Sequence, residues 1–182
     1  MFDGVEARYN YRLRVKGGQA RSLQEVFDAC RFVWNTALGR WSDLWRHEQC
    51  TLGLADMSRE LTDWRSRFDW LAAVPVTPQQ QVLRDLDRSI RAFYDNKNPA
   101  GRPRFKKKGS HSSARWTKNG FGLDGDRLSV AVAGGRAHLR VVWSRLLPSA
   151  PTFRRTRCWS WPEPGTRATP GAGPIPHPRD WV

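Results

Sequence analysis

The chain has 182 residues, and its 31 Lys and Arg against 17 Asp and Glu leave a formal net charge of +14. That length allows one or two domains with a real core, and that charge points to a polyanion, in most cases nucleic acid. No apolar run is long enough to span a bilayer, and the start Met1-Phe2-Asp3-Gly4-Val5-Glu6 has no signal-peptide core, so a cytoplasmic protein without a membrane partner is expected. Residues 5–16 then alternate strictly. Val5, Ala7, Tyr9, Tyr11, Leu13 and Val15 point one way and Glu6, Arg8, Asn10, Arg12, Arg14 and Lys16 the other. Period two predicts a strand with one buried and one wet face. A row of like charges on the wet face is self-repulsive, which makes Arg12 and Arg14 candidates for an anionic partner. Gly17-Gly18 is expected to end this strand.

Ser22-Leu23-Gln24-Glu25 reads as a capping box. Leu23, Val26, Phe27, Cys30, Trp34, Ala37, Leu38, Trp41 and Trp45 follow at helical spacing, and they predict a helix of about six turns or more with a buried stripe. Cys30 lies in that stripe as an inert buried thiol. A second helix is expected over 57–67, with Met57, Leu61, Trp64 and Phe68 inward, and then a packed connector over 70–74. Thr77-Pro78-Gln79-Gln80 restarts a helix, with Thr77 as N-cap, Pro78 at the first helical position and Gln80 closing the box. Leu83, Leu86, Ile90 and Phe93 are its inward residues, and Asp87 and Arg91 form a surface pair at i,i+4.

Between Asp95 and Asp124 there is no acidic residue, while Lys97, Arg102, Arg104, Lys106, Lys107, Lys108, Arg115 and Lys118 are interleaved with Phe105 and Trp116. Pro99 and Pro103 forbid a helix there, and Gly101 and Gly109 loosen the chain. Such a segment suits a phosphate backbone: cations displace condensed counterions, and an exposed ring can stack on a base. Phe105, fixed by prolines and flanked by charge, reads instead as an anchor in the core. Residues 127–132 and 137–143 are strands about a turn at 133–136. From residue 152 neither period persists, and the proline- and glycine-rich remainder is expected to be disordered. A shifted reading frame would explain the abrupt change of composition.

The three cysteines, Cys30, Cys50 and Cys158, form no C-x-x-C pair, so no zinc site, disulfide framework or cofactor is indicated. Asp124-Gly125-Asp126 is the nearest local pair of carboxylates, but Asp-Gly before a strand marks a turn. Asp85 and Asp87, two apart on a helix, do not face each other. His111, His138 and His177 are scattered, and no nucleophile–base pattern or phosphate loop occurs. No catalytic or metal-ligating residue is therefore expected.

Six segments in order carry a resemblance: Cys30-Arg31-Phe32-Val33-Trp34-Asn35, Glu60-Leu61-Thr62, Trp70-Leu71 leading to Val74-Pro75, Gln80 to Arg88, Pro103 to Lys108, and Val142-Trp143-Ser144-Arg145. Together they resemble the N-terminal half of the TnpB family, the OrfB-type transposon proteins that act as RNA-guided DNA endonucleases. The resemblance covers about residues 9–151 and implies a wedge-like β-barrel with an inserted helical recognition domain. The fold class is then α+β, with a small β-barrel-like unit made from 1–20 and 120–151. A helical bundle is inserted at 21–97, a basic nucleic-acid-binding loop covers 98–119, and a disordered tail covers 152–182.

The resemblance implies guide RNA and target duplex DNA as partners. It also implies that Gln80 reads a short motif on that duplex, with Thr117 and Asn119 nearby; a Gln amide can address an adenine edge. Capping remains an equal alternative for Gln80. The family's ribonuclease-H-like nuclease, with its three metal-binding acids and zinc ribbon, is not matched. The expectation is therefore a truncated binder that does not cut, with a repurposed repressor or a functionless remnant as the alternatives.

Overall fold

The computed structural model describes residues 10–95, 100–109 and 112–143, and, in backbone only, residues 155–160. Its elements are β1 (Arg12–Arg14), α1 (Gly17–Glu48), α2 (Leu54–Arg67), α3 (Asp69–Ala72), α4 (Val76–Phe93), β2 (Ser112–Thr117), a 3-10 turn (Lys118–Gly120), β3 (Phe121–Asp124), β4 (Arg127–Val132), β5 (Gly135–Val142) and β6 (Arg155–Ser160). One hydrophobic cluster runs through all of this, from Leu23, Val26, Ala37 and Trp41 of α1, through Met57, Leu71, Leu83 and Leu86, to Trp116, Val130 and Leu139 of the strands.

The apolar stripe read on α1 is buried from Leu23 to Trp41, whereas Trp45, expected in the same stripe, is exposed near the end of the helix, and the helix is longer than its pattern indicated. It begins at Gly17, not after Ser22. The Ser22 capping box is corrected: the backbone N–H of Lys16 donates to Gln19 Oε1 at 2.9 Å, and Ser22 Oγ donates back to the Gly18 carbonyl. The amide of Gln19 also donates to the His138 carbonyl at 2.6 Å, tying the start of the helix to β5. The Gly17-Gly18 pair therefore opens a helix where it was expected to end a strand. Of the strand expected over 5–16, the described part is β1 alone. Val15, expected inward, is exposed because the chain is already turning into α1. Residues 5–9 lie outside the described residues.

Helix α2 buries Met57, Leu61 and Trp64 as expected. The connector at 70–74 contains a helical turn, α3, and its carbonyls are gathered by two side chains. The Arg65 guanidinium donates to the Leu71, Ala72 and Val74 carbonyls at 2.8–2.9 Å, and Gln79 Nε2 donates to the Leu71 and Val74 carbonyls at 2.9 and 3.2 Å. This fixes where α4 starts. Its cap is Pro75, without a side-chain hydrogen bond, so the capping roles of Thr77 and Gln80 are corrected. Pro78 sits within the first turn, where backbone N–H groups have no partner in the helix and a proline costs little. Asp87 and Arg91 pair at 3.0 Å as read.

The β unit is not a closed barrel. β1, β5, β4 and β3 form an open antiparallel sheet in that order, with Leu13 opposite Val141, Leu128 opposite Leu139 and Phe121 opposite Val130 on the inner face. Among the described residues no strand joins the two edges, β1 and β3. Gly125, Gly134 and Gly135 make the two turns with φ of 53°, 74° and 148°, where a side chain would be strained.

Two further expectations are corrected. The stretch 98–119 is not all loop, because Ser112–Thr117 form β2 with Ala114 and Trp116 buried. The tail is not without structure from residue 152, because Arg155–Ser160 form β6, antiparallel to β2 with Ala114 opposite Cys158. A strand whose partner lies about forty residues earlier takes its conformation from that pairing more than from its own period. Residues 161–182 lie outside the described residues.

Candidate nucleic-acid interface

Residues 100–109 lie as an irregular, extended segment along α1, and neutral groups hold them there. Asn35, buried in α1, pairs with the backbone of Lys106 in both directions: its amide N–H donates to the Lys106 carbonyl at 3.0 Å, and its Oδ1 accepts from the Lys106 N–H at 2.8 Å. Next to it, Trp34 Nε1 donates to the Arg104 carbonyl at 2.9 Å. Two turns further along α1, Arg102 reaches Ser42 Oγ at 3.3 Å, and its guanidinium stands 5.4 Å from the centre of the Trp41 ring. Lys106 Nζ lies 4.2 Å over the Trp34 ring. The helix thus grips the main chain of the segment, and the heads of Arg104, Lys107 and Lys108 are left at the surface.

Phe105 is 45% exposed, which overturns its reading as a core anchor. The main-chain bonds of Arg104 and Lys106 do that anchoring, so the ring between them is free to face solvent. Trp116 has the opposite fate. It is fully buried, its Nε1 donates to the Ala131 carbonyl at 2.8 Å, and a Cβ placed on Gly120 would approach its ring to 2.9 Å.

Arg115 is also drawn inward. Its side chain is 10% exposed and meets Asp85 of α4 at 3.0 Å, so its charge is already answered within the fold. That ion pair joins α4, which carries Gln80, to β2, which ends at Thr117. Gln80 is exposed and makes no hydrogen bond among the described residues; its neighbours Gln79 and Gln81 are the buried ones. Thr117 is half-buried at the end of β2, and Lys118 and Asn119 are exposed on the 3-10 turn. Arg12 and Arg14 stand exposed on β1, at the edge of the open sheet.

Sequence reasoning missed the clamp itself. Trp34 reads as one more stripe residue, and Asn35 carries no signal except that it is a polar residue on a helix otherwise packed around it. Arg65 and Gln79, which shape the entry to α4, were missed for the same reason. Burial pushes the Cys30 thiol up to about 12, with the Lys106 charge opposing weakly, so this thiol is inert as expected. Among the described residues no three His, Cys, Asp or Glu side chains gather where they could hold a metal ion. No helix among them is long and apolar enough to cross a membrane.

The helix-turn-helix domain model HTH_OrfB_IS605 matches residues 1–50. A protein of Streptomyces pristinaespiralis named "Putative RNA-guided DNA endonuclease" is 29% identical over 168 residues, which cover 88% of this chain and 41% of that protein. A protein of Escherichia coli strain K12 named "Putative RNA-guided DNA endonuclease InsQ" is 32% identical over 118 residues, 64% of this chain and 29% of that protein. The chain thus spans less than half the length of either relative.

Proposed function

The chain carries a TnpB-family N-terminal region, and from that premise we propose that it binds nucleic acid as the recognition part of an RNA-guided DNA-binding protein. The observation that carries this reading is the segment 100–109. Its backbone is fixed by Trp34 and Asn35, while Arg104, Lys107, Lys108 and Phe105 are exposed. Lys and Arg at phosphates supply position and affinity. A rigid backbone means that their arrangement is not paid for in loop ordering at the moment of binding.

In this reading Arg102, Arg104, Lys106, Lys107 and Lys108 track a phosphate backbone, and Lys118 extends the track. Gln80 reads a base edge on a duplex, with Thr117 and Asn119 beside it. The absence of any capping bond leaves the Gln80 amide available for bidentate pairing with adenine. Arg115 is assigned to the scaffold because Asp85 holds it. Guide RNA and target duplex are the partners proposed, and cleavage is assigned to none of the described residues.

Purifying the protein with its bound RNA and sequencing that RNA tests the guided reading. One dominant species encoded beside the gene is the expected result, and RNA drawn at random from the host would overturn it. For Gln80, selection from a randomised duplex should return a preferred motif that Gln80→Ala relaxes at one position. A motif unchanged in that variant removes Gln80 as a reader.

A further inference from the structure

In the connector between α2 and α4 two carbonyls are used twice. Those of Leu71 and Val74 each accept once from the Arg65 guanidinium and once from Gln79 Nε2, and Arg65 reaches the Ala72 carbonyl as well. The last turn of α2, which carries Arg65, and the first turn of α4, which carries Gln79, are thereby tied to the same two atoms. Plain packing does not call for either donor. Arg65 meets no carboxylate among the described residues, although Arg67 beside it pairs with Asp63 at 2.8 Å. Its charge is answered there by carbonyl dipoles, and burial pulls its pKa below the usual arginine value. Gln79 is fully buried, and its Oε1 makes no hydrogen bond among the described residues. A buried acceptor left unpaired destabilises a fold, and an apolar side chain of the same shape would avoid that. Apolar contacts are non-directional, whereas a planar guanidinium fork and an amide match only one arrangement of these carbonyls. The two donors therefore fix a direction.

What they fix is the first turn of α4. Its cap, Pro75, makes no side-chain hydrogen bond, so the helix start is not set by a capping side chain. Gln79 sets it from the inside, and the next residue, Gln80, is exposed. Successive helical residues point about 100° apart, so the buried anchor of Gln79 dictates where the Gln80 amide is aimed. On the reading that Gln80 addresses a base edge, we propose that Gln79 and Arg65 are positioning residues for sequence recognition. They aim the first turn of α4 and so set motif selectivity without touching the duplex. Bidentate pairing with an adenine edge needs the oxygen and the nitrogen of the Gln80 amide in place together, and a hydrogen bond weakens steeply as it leaves its line. A small rotation of the turn lowers that discrimination. Phosphate contacts elsewhere, which carry no sequence information, are left as they were.

The test compares Gln79→Met, Arg65→Lys and Gln80→Ala in the full chain. Affinity is measured across a salt series for the DNA duplex that the wild type selects, and for the same duplex changed at the position that Gln80→Ala relaxes. Gln79→Met keeps the shape and removes the unpaired oxygen together with the donor, so its melting temperature should stay near that of the wild type. Its preference for the selected base should fall about tenfold, within the range of one bidentate contact. Affinity for the changed duplex and the slope of log K against log salt should match the wild type. Arg65→Lys keeps the charge and loses the fork, and it should lower the preference in the same way. Gln79→Met/Gln80→Ala should be no less selective than Gln80→Ala alone, because both changes act through one amide. Equal weakening on both duplexes with the preference kept would make the two residues structural only and overturn the proposal, as would full preference retained in either variant. If Gln80→Ala relaxes no position, the reading of Gln80 falls and the proposal with it. If Gln80→Ala relaxes one and Gln79→Met does not, the proposal alone falls.

Discussion

The stretch without acidic residues between Asp95 and Asp124 splits into two regions that share a composition and little else. In residues 100–109 Arg104, Lys107 and Lys108 are exposed, Phe105 is 45% exposed, and neutral groups of α1 hold the chain by its backbone. In β2, a few residues later, Trp116 is fully buried and the Arg115 charge is met by Asp85 at 3.0 Å. A ring among cations is thus a surface feature in one region and a core residue in the other. What separates them is the partner each backbone finds: a helix surface for the first, and the strand β6 together with the core for the second.

That contrast can be broken most forcefully at the two rings. Trp116→Ala should cost about 3–5 kcal/mol of stability, the range for a buried aromatic removed from a core, and chemical denaturation measures it. Phe105→Ala should leave stability within about 0.5 kcal/mol, as for an ordinary surface change, and weaken single-strand binding by about 1–3 kcal/mol if the ring stacks on a base. A Phe105→Ala protein that melts early would return this ring to the core and erase the contrast.

The clamp comes next. Asn35→Ala strands the N–H and carbonyl of Lys106, and each buried group left unpaired costs about 1–3 kcal/mol. Stability should fall, and hydrogen exchange at Lys106 should rise sharply, although no charge has changed. Arg115→Gln removes the ion pair that meets Asp85 at 3.0 Å and leaves Asp85 with Arg88 at 3.5 Å, which should cost about 1 kcal/mol. Lys107→Gln and Lys108→Gln should each stay within about 0.5 kcal/mol. Equal costs for Arg115 and Lys108 would contradict the division of roles.

The smallest effect concerns the thiols. With its pKa raised by burial to about 12, Cys30 should resist alkylation at neutral pH until the protein unfolds. Exposed Cys50 should react at once, as peptide mapping by mass would show.

Where one element carried a clean period, the sequence was legible. The stripe from Leu23 to Trp41, the inward residues of α2 and α4, and the β4–β5 hairpin all read correctly from spacing. Those patterns are written in the element itself. Chain entry and strand closure were not legible, because they depend on distant partners. Gln19 ties the start of α1 to β5, 119 positions away, and β6 exists through its pairing with β2. β2 does alternate, with Ala114 and Trp116 inward, but the basic run around it hid so short a period. At the candidate site the cations were visible as a charge run. Their support was not, since Asn35 contacts Lys106 across 71 positions and nothing local marks it.

The central claim is that the clamped segment 100–109 binds a phosphate backbone through its surface charges. The most direct measurement is the salt dependence of nucleic-acid affinity for the wild-type chain and for Arg104→Gln/Lys107→Gln/Lys108→Gln, which leaves the Trp34 and Asn35 bonds in place. With three phosphates no longer neutralised, the slope of log K against log salt should flatten by about 2.7 on a duplex or about 2.1 on a single strand, and all sequences should be weakened alike. A slope equal to that of the wild type, in a variant that melts normally, would show the charges to be merely solvated and would contradict the claim.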